Sequence, residues 1–297
     1  MNLRFIKGKI FISIAYACAI ACALILILIL GTITVKAIPS LSFYFIVTPE
    51  SRAPHLGGAI GNAIAGTLIL SFFSTLLAAP LGVCTAIYLK KYAKDGFLVR
   101  SFRFFIDVLS GTPSIVLGLF AVLVLVFYMR TVTGGFSLIS GSIALAILIL
   151  PVIERAAEEA IDTVPSDIEE ASYALGATKW DTLKRVTIPF ALSGILTGVI
   201  LGVGRAAEES AVVILTAGYS QFFPEFRVGA SEKLIYGIKI YPFQDLVGTL
   251  PLTIYHAYEH PHLISPSEGF AAALVLIVIV MLINATGRFI VWKRRIG

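Results

Sequence analysis

Six runs of this sequence stay apolar long enough to cross a lipid bilayer, and nothing else in the chain restricts its fold as strongly. A hydrocarbon core about 30 Å thick takes about 20 residues of helix. Residues 10–35, 59–89, 104–128, 136–153, 191–217 and 269–292 each approach or exceed that length. Composition agrees: of 297 residues, 58% are hydrophobic and 14% are charged, where a soluble domain carries about 25% charged residues. The expectation is an all-α integral membrane protein with six transmembrane helices, built as a single domain over 1–297. No stretch has linker composition, and no repeat of solenoid length occurs. Cys18, Cys22 and Cys84 all fall in apolar runs, so they imply packing or lipid contact and neither a disulfide framework nor a metal site.

Lysine and arginine set the orientation. Sixteen of them cluster at one set of span ends: Arg4, Lys7 and Lys9 before the first run, Lys90 to Arg103 after the second, Arg155 to Arg185 after the fourth, and Arg288 to Arg295 at the end. Six lie on the other side: Lys36, Arg52, Arg130, Arg227, Lys233 and Lys239. The positive-inside rule then places both termini in the cytoplasm, and the net charge of +5 reads as a topology signal rather than a nucleic-acid one. The first run resembles a signal peptide and has a faint cleavage-like pattern at residues 35–37. Its apolar core of about 25 residues is longer than the roughly 7–15 of a cleavable signal, so an uncleaved anchor is expected.

Residues 154–190 then form a cytoplasmic loop with eight acidic residues. Ser166 or Asp167 can cap a helix after Pro165, with Glu169 and Glu170 near its N-terminus. Ala171, Ala174 and Leu175 give it a small apolar face, and Gly176 ends it. A second helix is expected from Thr178 to Pro189. The segment "EASYALGATKWDTLKRVTIP" resembles the EAA loop of ABC importer permeases: Glu170, Ala171, Gly176 and Pro189 match in spacing, while Ser172, Val186 and Ile188 depart from it conservatively. The resemblance implies a type I (MetI-like) importer architecture in which this loop couples to a cytoplasmic ATPase. The sequence has no G-x-x-x-x-G-K-[ST] loop, so ATP and Mg would be bound by that partner ATPase, with no cofactor in this chain.

Charges inside the fifth run raise a different question. "GRAAEES" at 204–210 puts Arg205, Glu208 and Glu209 within an otherwise apolar stretch, and each charge at a helix centre costs about 2.5–3.5 kcal/mol on insertion scales. On a helical wheel Gly194, Gly198 and Gly202 form a small-residue stripe. Arg205 and Glu209 fall on it, with Glu208 at its border, so the charges are expected to face the bundle interior near mid-bilayer. Arg205 can pair with Glu209 or Glu208 as a structural ion pair, or offer its fork-shaped guanidinium to a tetrahedral oxyanion, with Glu209 yielding as the anion passes.

"GRAAEESAVVILTAG" and "LSGTPSIVLGLF" at 109–120 are similar to segments of phosphate-specific ABC permeases, and 150–177 is similar to their A-type subunit. Glu208 stands where that pattern has glycine and Val212 where it has proline. Together these likenesses imply phosphate import, with Arg205, Glu209, Glu208, Thr112 and Ser114 on the substrate pathway. Implied partners are a second related permease, an ATPase dimer, an extracytoplasmic binding protein and membrane lipid, but no nucleic acid. Sulfate, molybdate or tungstate are alternative substrates. A secondary transporter using the glutamates as a proton relay is a further alternative. Pro113 with Ser110 or Thr112 as a cap offers two readings: an interrupted third run whose helix N-terminus suits an anion, or a packing kink with the serine and threonine hydroxyls bonded to carbonyls. "HAYEH" at 256–260 matches a zinc-protease pattern, but Pro261 follows at once and no third ligand is evident.

Overall fold

The computed structural model describes residues 3–94, 96–231, 234–235 and 237–295; Lys233, counted above among the extracytoplasmic cations, lies outside them. Helix α1 (Leu3–Ala37) is followed by α2 (Gly61–Ile87), α3 (Phe97–Gly111) and α4 (Ser114–Ala121). Then come α5 (Leu138–Asp162), α6 (Ser166–Ala174), α7 (Lys179–Thr182), α8 (Ile188–Glu208) and α9 (Ala211–Thr216). A two-stranded hairpin, β1 (Val228–Ala230) and β2 (Ile238–Ile240), precedes α10 (Leu250–Glu259) and α11 (Pro266–Arg295). Among the described residues five helices are long and apolar enough to cross a membrane, and six if one bent pair counts as a single span.

That bent pair is the third run, interrupted at Pro113. Residues 97–111 and 114–128 meet at 106°, so 104–111 belong to a helix that runs across the following span. Proline chemistry accounts for the break. Pro113 has no N–H to continue the helix, and its ring pushes the preceding residue out of the α region; Thr112 is extended at φ −77, ψ 129. After the bend α4 continues as a π-helical segment to Tyr128, and 15 residues from Ser114 span about 22 Å.

Two further boundaries differ from expectation. The fourth span does not stop at residue 153, since α5 runs on to Asp162 and takes in the first part of the expected loop. The fifth is interrupted: α8 ends at Glu208, and α9 begins at Ala211. On its cytoplasmic side α8 does not begin afresh at Pro189. Helix runs from Lys179 to Glu208 without a gap, and a π turn at Leu183–Thr187 leads into it. A wider turn just before Pro189 relaxes the i to i−4 ladder where proline could not contribute to it.

Helix α5 is the hub. Leu138, Leu145, Ile149, Ile153 and Ile161 on it are at most 1% exposed, packed by α2 on one side and α8 on another. The hydrophobic effect does not drive helices together in lipid, so close approach through small residues has to do so. The glycine stripe serves that contact: a Cβ at Gly194 or Gly198 would lie 2.5 Å from the Ala160 or Ala156 methyl, and one at Gly202 would lie 2.8 Å from Ile153 Cγ1. Helix α11 reaches α8 in the same way, through Gly287 against Ile200. Helix α1 packs along α11 and keeps most of its surface exposed. Cys18, Cys22 and Cys84 are free and exposed.

Gly198→Leu should therefore wedge α8 from α5, lowering stability by about 1–3 kcal/mol as overpacking does. Thermal unfolding in detergent checks this, with Gly31→Ala, where nothing lies within 4 Å, expected to leave the melting temperature unchanged.

Candidate functional site

The charged residues of the fifth span sit beside the glycine stripe rather than on it. The contact with α5 runs along Ala191, Ile195, Gly198, Gly202 and Ala206, all buried. Thr197, Leu201, Arg205 and Glu208 share the exposed face of α8. Arg205 and Glu208 therefore look away from this chain's own bundle, not into it. The Arg205 side chain is 48% exposed and lies 3.2 Å from Glu209 through its Nη2.

Glu209 occupies the break itself. Its backbone is extended at φ −76, ψ 127, and its side chain is only 5% exposed. Oε1 accepts hydrogen bonds from the Ala211 amide at 3.1 Å and from the Val212 amide at 3.5 Å. The carboxylate thus satisfies the first amides of α9, the role of a helix cap, while it balances Arg205. Held by two amides and one guanidinium, it is a fixed counter-charge. The Glu208 side chain makes no hydrogen bond or ion pair among the described residues.

The two interrupted spans meet. Helix α4 packs on α9 through Gly118, where an added Cβ would fall 3.2 Å from both the Ala211 carbonyl oxygen and Val212 Cα. Segments 109–120 and 204–218, which sequence treats separately, therefore build one region with the starts of α4 and α9 next to each other. The N-terminus at Ser114 is where the proline predicts it, but the expected cap is absent: the Thr112 hydroxyl donates back to the Val108 carbonyl at 2.6 Å. Residue Pro113 itself holds the cap position with no side-chain bond. Ser114 is half-buried at the first position of α4.

At the other end of the bundle, α6 begins after Pro165 without a side-chain cap from Ser166 or Asp167. Gly176 adopts φ +84, a conformation glycine takes without strain, and the Gly176 amide donates to the Tyr173 carbonyl at 2.9 Å as the helix closes. The Thr178 side chain caps α7, accepting from the Asp181 amide. Glu170, Ala171, Ala174 and Leu175 are all exposed, Leu175 by 90%. Ser172 joins Thr182 at 2.9 Å, and Pro189 lies at the start of α8.

Sequence reasoning missed what fastens this loop. The Lys91 ammonium is 2.7 Å from Glu169, and Thr187 donates to the same carboxylate. Burial alone would raise the Glu169 pKa, but the hydrogen bonds from Lys91 and Thr187 outweigh it and hold the carboxyl below its ordinary value. Lys90 pairs with Asp162 at 2.7 Å, Arg103 with Glu158 at 3.6 Å, and Arg155 with Asp107. The signal was available: a run of cations after span 2 and a run of acids after span 4 invite pairing.

The histidine motif has another use. His256 stacks on Tyr219 with centroids 4.5 Å apart, and burial pushes the imidazole below its usual range. Among the described residues no group of three or more His, Cys, Asp or Glu side chains could hold a metal ion.

The profile of the binding-protein-dependent transport system inner membrane component matches residues 78–291, from the last turns of α2 nearly to the end of α11. The chain belongs to that family. Among relatives of this permease chain, a phosphate transport system permease protein PstA 1 of Mycobacterium tuberculosis is 37% identical over 254 residues, covering 84% of this chain and 75% of its own. A probable phosphate transport system permease protein PstA of Methanocaldococcus jannaschii is 32% identical over 293 residues, covering 97% and 95%. Of solved structures, a bacterial alginate ABC transporter in complex with a periplasmic protein superimposes with TM-score 0.67 at 16% identity, over 99% of this chain and 97% of that one. A methionine ABC transporter in inward-facing conformations gives 0.57 at 20%, over 79% and 94%. Both likenesses speak to fold alone.

Because the Glu169 pKa is lowered on folding, its contribution is complete above the ordinary carboxylate range and is lost as pH falls through the lowered value. Lys91→Met should unfasten α6 at neutral pH and speed proteolytic cleavage around 175–178, while Lys91→Arg should protect it. Digestion rates at pH 7 should separate the two variants, and acidification should abolish the difference.

Proposed function

We propose that this chain is the membrane-spanning permease subunit of an ATP-driven importer that moves inorganic phosphate across the cytoplasmic membrane, with both termini in the cytoplasm. The observation that carries the reading is the half-exposed guanidinium of Arg205 at the break in the fifth span, beside the joined starts of α4 and α9. Relatives that match most of the chain are named for phosphate transport. A second, related permease would cover the exposed face of α8, because Arg205 and Glu208 facing lipid would cost several kcal/mol. The gap between the two subunits would be the pathway, with Arg205 and Glu209 on it, Glu208 at its edge, and Thr112 and Ser114 near its inner end.

On this reading an ATPase dimer, which binds ATP and Mg, docks on the exposed Glu170 and Ala171 of α6, the half-buried Ser172 and the exposed Leu175 that caps the helix, with Gly176 as the turn behind it and Pro189 seating α8. A binding protein delivers the anion from outside. ATP-driven closure of the ATPases moves α6, and the continuous 179–208 helix carries that motion to Arg205. Guanidinium suits the task because it stays charged and presents paired donors to a tetrahedral oxyanion.

Arg205→Gln should reduce phosphate uptake in proteoliposomes by at least about a hundredfold, as expected when a charged anion contact is removed, with the complex still assembled. Uptake at the normal rate would refute the assignment. Competition by sulfate, molybdate or tungstate as strong as that by unlabelled phosphate would transfer the substrate to those anions. Leu175→Asp should abolish co-purification of the ATPase, since a carboxylate cannot replace the apolar contact an exposed leucine offers.

A further inference from the structure

We propose that the extracytoplasmic surface carries a second oxyanion site, a cleft between the short helical turn Arg130–Thr133 and the β1–β2 hairpin. It rests on the import reading above and specifies where the anion first meets this subunit. The cleft measures ≈390 Å³ and is lined by Arg130, Thr131, Gly134, Ser231, Leu234 and Lys239. Among the described residues that lining has two cations, two hydroxyl side chains and no carboxylate. Only six of the chain's 23 lysines and arginines fall in its extracytoplasmic segments, and two of them line this one depression.

The two cations are held differently. Lys239 is fixed: its ammonium lies 3.2 Å from Asp245 and 4.5 Å from the centroid of the Tyr241 ring. The Arg130 side chain is exposed and makes no hydrogen bond or ion pair among the described residues. Its stem lies against Gly135, where an added Cβ would sit 3.7 Å from Cγ and 3.9 Å from Nε. The backbone holds the walls together. Ile235 donates to the Thr131 carbonyl at 3.1 Å, and Ser231 donates to the Gly237 carbonyl at 2.9 Å. Gly134 at φ +84 lies where a Cβ would meet the Gln244 carbonyl oxygen at 3.0 Å.

Chemistry then picks the ligand class. An adjoining cleft of ≈360 Å³ shares Arg130 and Lys239 but adds Asp245, whose carboxylate pairs with Lys239. The uncompensated cation is therefore Arg130, and on the hairpin side its guanidinium and two hydroxyls suit a small, hydrated oxyanion such as inorganic phosphate. Arg130 follows directly on the span that begins at Ser114, so the cleft lies at the outer end of the same span whose inner end sits beside α9. An anion released outside would meet Arg130 before it reached Arg205.

The test uses the complete complex, both permeases with the ATPase dimer, in detergent and without its binding protein. Equilibrium dialysis with radiolabelled inorganic phosphate should give binding that the Arg130→Gln/Lys239→Gln double variant weakens by at least about tenfold, and that Arg130→Lys with Lys239→Arg largely keeps. An unchanged melting temperature excludes misfolding as the cause. If the double variant binds phosphate like the wild type while wild-type uptake is intact, the cleft assignment is overturned and the import reading stands. Weakened docking of the binding protein with unchanged phosphate binding overturns it too, in favour of a protein-docking surface. If the wild-type complex imports no phosphate, dialysis with labelled sulfate decides: a loss in the double variant keeps the oxyanion cleft, and no loss ends it.

Discussion

A break in a transmembrane helix frees amides and carbonyls that hydrocarbon cannot bond, so the protein has to satisfy them from within. The arrangement around the substrate region follows from that constraint at two places. At Thr112–Pro113 the missing donor is proline's own, and the Thr112 hydroxyl returns to the Val108 carbonyl. At Glu209–Ser210 the first amides of α9 are taken up by the Glu209 carboxylate, and that buried charge is balanced by Arg205. The ion pair follows from the break as much as from any ligand. Removing Glu209 would leave both the start of α9 and the guanidinium without a partner, at a cost of about 0.5–2 kcal/mol for the cap alone.

The end of the bundle that carries α3 and α6 is organised by charge. Lys90 and Lys91 after α2 and Arg103 in α3 pair with acids on α5 and α6, and Arg155 on α5 pairs back with Asp107 on α3, so these charges fasten the loop. Exposed pairs of this kind are individually weak. Lys91 with Glu169 is the least exposed of them and is backed by Thr187. It ties the end of α2 to α6 and to the root of α8, leaving Leu175 exposed.

How much of this the sequence disclosed depends on the residue. Spans defined by long apolar runs were legible because length and hydropathy decide them, and the bend at Pro113 was legible because proline chemistry is local. The break at Glu209 was not. Nothing in "GRAAEES" forbids helix, and only the fold reveals the carboxylate turning to cap α9. The facing of Arg205 failed for a related reason: the glycine stripe was identified correctly, but the contact extends to its other flank, through Ile195 and Ala206. Partner choice across the chain, as for Lys91 with Glu169, is a tertiary matter that no local pattern encodes.

The unbroken helix from Lys179 to Glu208 acts as a lever. Its 30 residues amount to about 45 Å at 1.5 Å per residue, and Arg205 is near the far end. Tilting such a rod about its Lys179 end by about 10° sweeps Arg205 through about 7 Å on the same helical geometry. Glu209 is bonded directly to the rod's last residue, so guanidinium and counter-charge travel together, and the slack for such a swing lies at the break before α9.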